Sequence, residues 1–199
     1  MMLTTIAVAL ITAVLGPIAV AWAKKQFHPK SIPTPINDAI QANTLVDNQL
    51  DIIMDDLGSD RVWVSQFHNG GHFYPTNKSI AKFSIFYEKT TQGTVASQQT
   101  FQNIPCSLFS KSLFHLAKEG EIAAPNLQDE TYGLCQISNQ YNSKSFYMIA
   151  LEDLNGHFIG VLSISYNKEY KFTKDDWIYT RQKAGVIGTL LDEYLNIKK

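Results

Sequence analysis

Hydrophobic and polar positions change their period several times along the chain, and each change marks an element. Leu3 to Ala23 (LTTIAVALITAVLGPIAVAWA) carries no charged residue. As a helix this run spans about 31 Å, enough for the hydrocarbon core of a bilayer. Pro17 after Gly16 is tolerated in such a helix, Trp22 suits its boundary, and Lys24, Lys25 and Lys30 follow at once. The run reads as an uncleaved anchor over residues 1–23. The rival is a cleaved signal peptide, which Ala19, Ala21 and Ala23 would permit but which lacks a basic residue ahead of the apolar run. With the lysines C-terminal to the span, the positive-inside rule makes this a single-pass protein of the inner membrane with its remainder in the cytoplasm.

Residues 24–35 hold three of the seven prolines and read as a short, stiff linker. The period then becomes helical from Ile36 to Leu57. Ala39, Asn43, Val46, Leu50, Ile53 and Leu57 alternate four and three apart, and Gly58 ends the run. This seam either packs on the chain's own sheet or forms a parallel homodimer contact. Both hold if the helix has two apolar faces, since Ile36, Ile40 and Ile52 lie off the seam.

From Arg61 the pattern turns strand-like. Arg61 to Phe67 (RVWVSQF) is β-branched and aromatic, His68-Asn69-Gly70-Gly71 reads as a turn, and Ser79 to Glu88 alternates. In that alternation Ile80, Lys82, Ser84 and Phe86 face one way and Ala81, Phe83, Ile85 and Tyr87 the other. A polar loop leads to Pro105, which suits the first turn of a helix running to Lys118 and stopped by Gly120. Short strands are expected at Ile122–Ala124 and Leu134–Ser138. Ser145–Leu154 and His157–Tyr166 form a hairpin through Asn155-Gly156. In the last helix Thr173 is the N-cap, Asp176 completes a capping box, and Phe172 and Trp177 form a staple. Trp177, Thr180, Ala184, Ile187, Leu191 and Leu195 make its apolar face. Consecutive strands joined by a hairpin give an α+β class: an antiparallel sheet flanked by N- and C-terminal helices, preceded by one transmembrane helix.

Composition alters this picture in one respect. The 17 Lys+Arg and 18 Asp+Glu give a net charge of −1. That balance excludes nucleic-acid binding through bulk positive charge, and no nucleic-acid partner is expected.

Candidate chemistry concentrates in FHNGGHFYP, Phe67 to Pro75. His68, Asn69, His72 and Tyr74 offer donors and acceptors, Gly70 and Gly71 permit close backbone approach, and Phe73 adds an aromatic face. With Ser84 and Phe86 on the following strand, these residues are the candidate lining of a small-ligand pocket. The plain alternative is a tight strand connection. A metal site is a third option, but no carboxylate lies in the segment and the chain has only two cysteines, Cys106 and Cys135. Those two read as reduced and partly buried. Glu88 and Asp153 lie at strand ends, and nothing pairs them as acid and base. No catalytic residue, metal or cofactor is assigned, and the chain is not expected to be an enzyme.

Ser145 to Tyr166 (SFYMIALEDLNGHFIGVLSISY) joins an apolar strand, an Asn-Gly turn and an IGVL strand ahead of a helix. It resembles the closing segment of GAF domains, and RVWVSQFHNG resembles their opening strand. The resemblance covers residues 37–196 and lies in layout. The chromophore Cys-His pair of cyanobacterial members has no match, and no cyclic-nucleotide signature is present. It implies a GAF-like domain over residues 36–199, with first and last helices packed on one side of the sheet and a sensory or ligand-binding role. Arg61 to Glu88 and Gly160 to Leu191 are also similar to segments of T-even-type phage holins. FHNGGHFYP…KFSIFYE resembles an uncharacterised protein of tailed phages. The expected function is a phage-encoded, membrane-anchored GAF-like sensor at the inner face of the membrane. The alternative is a holin-type lysis protein, from which the chain departs in having two residues before the span and lysines after it.

Overall fold

The computed structural model describes residues 35–73, 75–129 and 132–195. The anchor and the linker up to Thr34 lie outside them. No helix among the described residues is long and apolar enough to cross a membrane. The compact unit is Ala39–Lys199.

The elements are α1 (Pro35–Leu57), β1 (Arg61–Phe73), β2 (Lys78–Thr90), β3 (Ile104–Pro105), α2 (Ser110–Glu119), β4 (Glu121–Ala124), α3 (Gly133–Asn139), β5 (Ser145–Glu152), β6 (Phe158–Tyr166) and α4 (Lys174–Leu195). Among the described residues the strands form one sheet in the order β3-β2-β1-β6-β5-β4, antiparallel at every pairing.

Each face of the sheet carries its own core. On one face Val62, Val64, Leu162 and Ile164 meet Val46, Leu50 and Ile53 of α1 and Ala184, Ile187 and Leu191 of α4. The heptad seam of α1 is thus spent on the chain's own sheet, while Ile40, Leu45 and Ile52 stay exposed. On the other face Trp63, Phe83, Ile85, Phe146 and Met148 meet Leu116 of α2 and Leu134 and Cys135 of α3. Sequence periodicity located α1 and α4 to within two residues, because long amphipathic runs carry many repeats of one signal.

Four local expectations are corrected. The strand expected at Leu134–Ser138 is the helix α3, Gly133–Asn139. Its buried Leu134, Cys135 and Ser138 stand at helical spacing, which a five-residue apolar run does not distinguish from a strand. Pro105 does not open a helix. It pairs with Lys82 on the sheet edge, where a missing N–H is tolerated, and α2 begins at Ser110.

His68-Asn69-Gly70-Gly71 is not a turn, since β1 runs through it to Phe73. Asn69 pairs with Ala81 but His72 with Ser79, so Gly70 and Gly71 together oppose one residue. This bulge suits two glycines: Gly71 has φ +109°, and a Cβ on Gly70 would lie 2.1 Å from the Lys82 stem. Finally, the alternation of β2 does not persist. Val64 pairs with Tyr87 and Ser65 with Ile85, which leaves Phe86 as an extra residue. Phe83 and Ile85 therefore feed one core and Tyr87 the other.

Candidate functional site

β1 is longer than its partner β6. Arg61 to Gln66 pair with β6, and from Phe67 onward β1 pairs only with β2, making a two-stranded arm. His68 to Phe73 lie on that arm. Asn69, Gly71, His72 and Phe73 are exposed, and His68 and Gly70 half-buried. Tyr74 is outside the described residues. Of the sequence-predicted site residues, the structure brings together His68, Ser84 and Phe86. His68 Nε2 lies 2.9 Å from Ser84 Oγ, and the His68 and Phe86 rings meet edge-on at 6.1 Å. Phe86 also borders an open recess of about 260 Å³ between β2 and α1. Asn69, Gly71, His72 and Phe73 do not join this group.

A second group, which sequence reasoning missed, sits at the base of the same two strands on the α2–α3 face. Arg61 opens β1 and is 1% exposed, and its Nε lies 3.3 Å from Oε1 of Glu88, whose side chain is 2% exposed. The Arg61 guanidinium donates to Ser143 Oγ at 3.1 Å and to the Val95 carbonyl at 2.5 Å, and it lies 5.3 Å from the Tyr141 ring centroid. Burial pulls this guanidinium below its ordinary pKa, and Glu88 opposes that pull.

Glu88 in turn accepts the backbone N–H groups of Ser97 at 2.8 Å and Gln98 at 2.7 Å, and the Ser97 hydroxyl at 2.6 Å. The ion pair therefore fastens the irregular segment 91–103 over the sheet. Gln98 and Gln102 add side-chain amide bonds to the Phe86 and Ile85 carbonyls along the edge of β2.

Beneath this cover is a cleft walled by Trp63, Phe83, Phe101, Leu134 and Tyr141, with Arg61, Ser97 and Ser138 as its polar groups. Its open volume is about 10 Å³, so the structure shows it closed. A group of aromatic walls around a few convergent polar atoms is the make-up of a small-molecule site. The available sequence signal was an arginine opening an otherwise apolar strand and a glutamate closing the next.

Glu88 stands between two residues that hold the opposite side of the sheet. Tyr87 donates its hydroxyl to Asn43 of α1 at 2.7 Å, and Lys89 pairs with Asp51 at 3.1 Å and Asp47 at 3.6 Å. The group that fastens the cleft cover and the groups that fasten α1 are thus consecutive in β2.

No family model and no curated protein matches the chain. Solved structures do. The phycocyanobilin-bound GAF domain of a cyanobacterial phytochrome superposes with a TM-score of 0.65 at 12% identity, over 82% of this chain and 92% of that one. The blue-light absorbing form of the Thermosynechococcus elongatus PixJ GAF domain gives 0.61 at 12% identity, over 78% and 88%. A far-red cyanobacteriochrome photoreceptor gives 0.62 at 13% identity, over 87% and 98%. The sheet order, the paired terminal helices and these superpositions define a GAF-like fold.

Proposed function

We propose that the chain is a membrane-anchored, non-enzymatic GAF-like sensory domain, phage-encoded, which binds a small molecule at the inner face of the membrane. The observation that carries the reading is the Arg61–Glu88 pair: a buried charge pair beside an aromatic-walled cleft, holding an irregular cover shut. The fold supports it, since two neighbours of this fold are a bilin-bound domain and a photoreceptor. Here the ligand works by population shift. Entry lifts the segment 91–103, Glu88 is released from Ser97 and Gln98, and the strain passes along β2 to Tyr87 and Lys89, which loosen or reset α1. From α1 the change reaches the linker and the anchor, or a second copy held through the exposed Leu45 and Ile52.

The test is a melting-temperature screen of the full chain, purified in detergent, against a panel of cellular metabolites. A rise with one compound is expected, accompanied by a change in amide exchange at α1. No response to any compound would overturn the reading.

A further inference from the structure

We propose that the cleft takes an uncharged, planar oxo-heterocycle, held by Arg61 Nε and by the hydroxyls of Ser163 and Ser165. This rests on the ligand-binding reading above and names its ligand class. Arg61 Nε, Ser163 Oγ and Ser165 Oγ are buried and make no hydrogen bond among the described residues. Ser163 and Ser165 are 0% and 1% exposed.

The three groups adjoin one another. Ser165 pairs directly with Arg61 across β1 and β6, and Ser163 with Trp63. Leu162 and Ile164 between them belong to the α1–α4 core, so both serines share the cleft face with Arg61 and Trp63. A buried hydroxyl without a partner costs roughly 1–3 kcal/mol. Alanine would fill the same space without that cost, so the hydroxyls point to a ligand that satisfies them.

The charge state selects the ligand. Glu88 already neutralises Arg61 at 3.3 Å. An anion would bring a second negative charge beside Glu88, a cation would face Arg61, and a hydrocarbon would leave all three polar atoms unpaired. A ring carbonyl accepts from Arg61 Nε–H, and a ring N–H donates to a serine oxygen. Trp63, Phe83 and Tyr141 supply flat walls.

The test uses the full chain in detergent, with uracil as the probe and benzoate and toluene as comparators. Uracil is expected to raise the melting temperature and to bind more tightly than either. In the Ser163→Ala, Ser165→Ala double variant the melting temperature without ligand is expected to hold or rise, while uracil affinity falls about tenfold, as the loss of one to two hydrogen bonds implies. A merely structural role for the serines would not move that affinity. Tighter binding of benzoate or toluene, or unchanged uracil affinity in the double variant, would overturn the inference. So would a failure of uracil while a panel metabolite binds, with the ligand-binding reading left standing; silence from every compound overturns both.

Discussion

Glu88 concentrates more of the cleft's structure in one side chain than any other residue there, so its loss is informative. In Glu88→Gln the amide oxygen still accepts from the cover, but Arg61 is left as an uncompensated buried charge. Breaking one partner of such a pair costs about 3–5 kcal/mol, and urea denaturation of the variant should show a loss of that order. A loss under about 1 kcal/mol would mean that the glutamines and Phe101 hold the cover without it.

Asp153 is a different kind of carboxylate. In the β5–β6 turn it accepts the N–H groups of Asn155 at 2.9 Å and His157 at 2.8 Å, and its Oδ2 lies 2.8 Å from His157 Nδ1. These bonds, that of the His157 N–H first, lower its pKa to about 2. A carboxyl depressed on folding stabilises the protein above its unfolded pKa, and that gain fades as pH falls from about 4 toward 2. The melting-temperature gap between wild type and Asp153→Asn should therefore close over that window and stay constant from pH 5 to 6. At this scale the sequence was half legible. Asp-x-Asn-Gly announced its own turn because every partner is local. Arg61 and Glu88 looked like two unrelated strand ends, because what joins them is cross-strand register and one bulge.

Elements built on local repetition are the ones that periodicity found. In α4 both capping-box bonds form: the Asp176 N–H donates to Thr173 Oγ1 at 3.2 Å and the Thr173 N–H to Asp176 Oδ2 at 2.7 Å. Thr173→Ala should cost about 1 kcal/mol in thermal or urea unfolding, the usual size of an N-cap loss. Gly188, mid-helix, has a tertiary reason to be glycine, since a Cβ there would stand 2.2 Å from the Glu152 carbonyl. Gly188→Ala should destabilise despite alanine's better helix propensity, whereas Gly185→Ala, with nothing within 4 Å of its Cβ, should stabilise slightly. That opposite sign is the measurement to make. The elements that periodicity missed, α3 and the arm of β1, are set by contacts across the sheet, where a run of five to seven residues follows its neighbours rather than its own preference.

At the scale of the whole molecule the open quantity is topology relative to the membrane. A reporter fused after Lys199 and active only in the cytoplasm should give signal. Activity of a periplasm-only reporter, with lethal permeabilisation on expression, would favour the holin reading instead. Paired Leu45→Glu and Ile52→Glu substitutions should leave the fold intact, because both side chains are exposed. If α1 joins two copies, sedimentation of the detergent-purified chain will change from dimer to monomer in that variant. The GAF-like layout was legible at this scale from the order of helices and strands. The cleft was not, since it is assembled from β1, β2, the 91–103 segment and α3.

Phe86 has a solvent-facing ring, so its chemistry is free to drift, yet its presence is obligatory. Upstream of it the even-numbered residues of β2 look toward α1 and α4; downstream the odd-numbered ones do. Removing this single codon would rotate the end of the strand by half a turn, thrusting the Glu88 carboxyl toward Val46 and Leu50 and the Tyr87 and Lys89 side chains toward Trp63. Variation at this position should therefore be rich in substitutions and empty of deletions, the signature of a residue retained as a spacer.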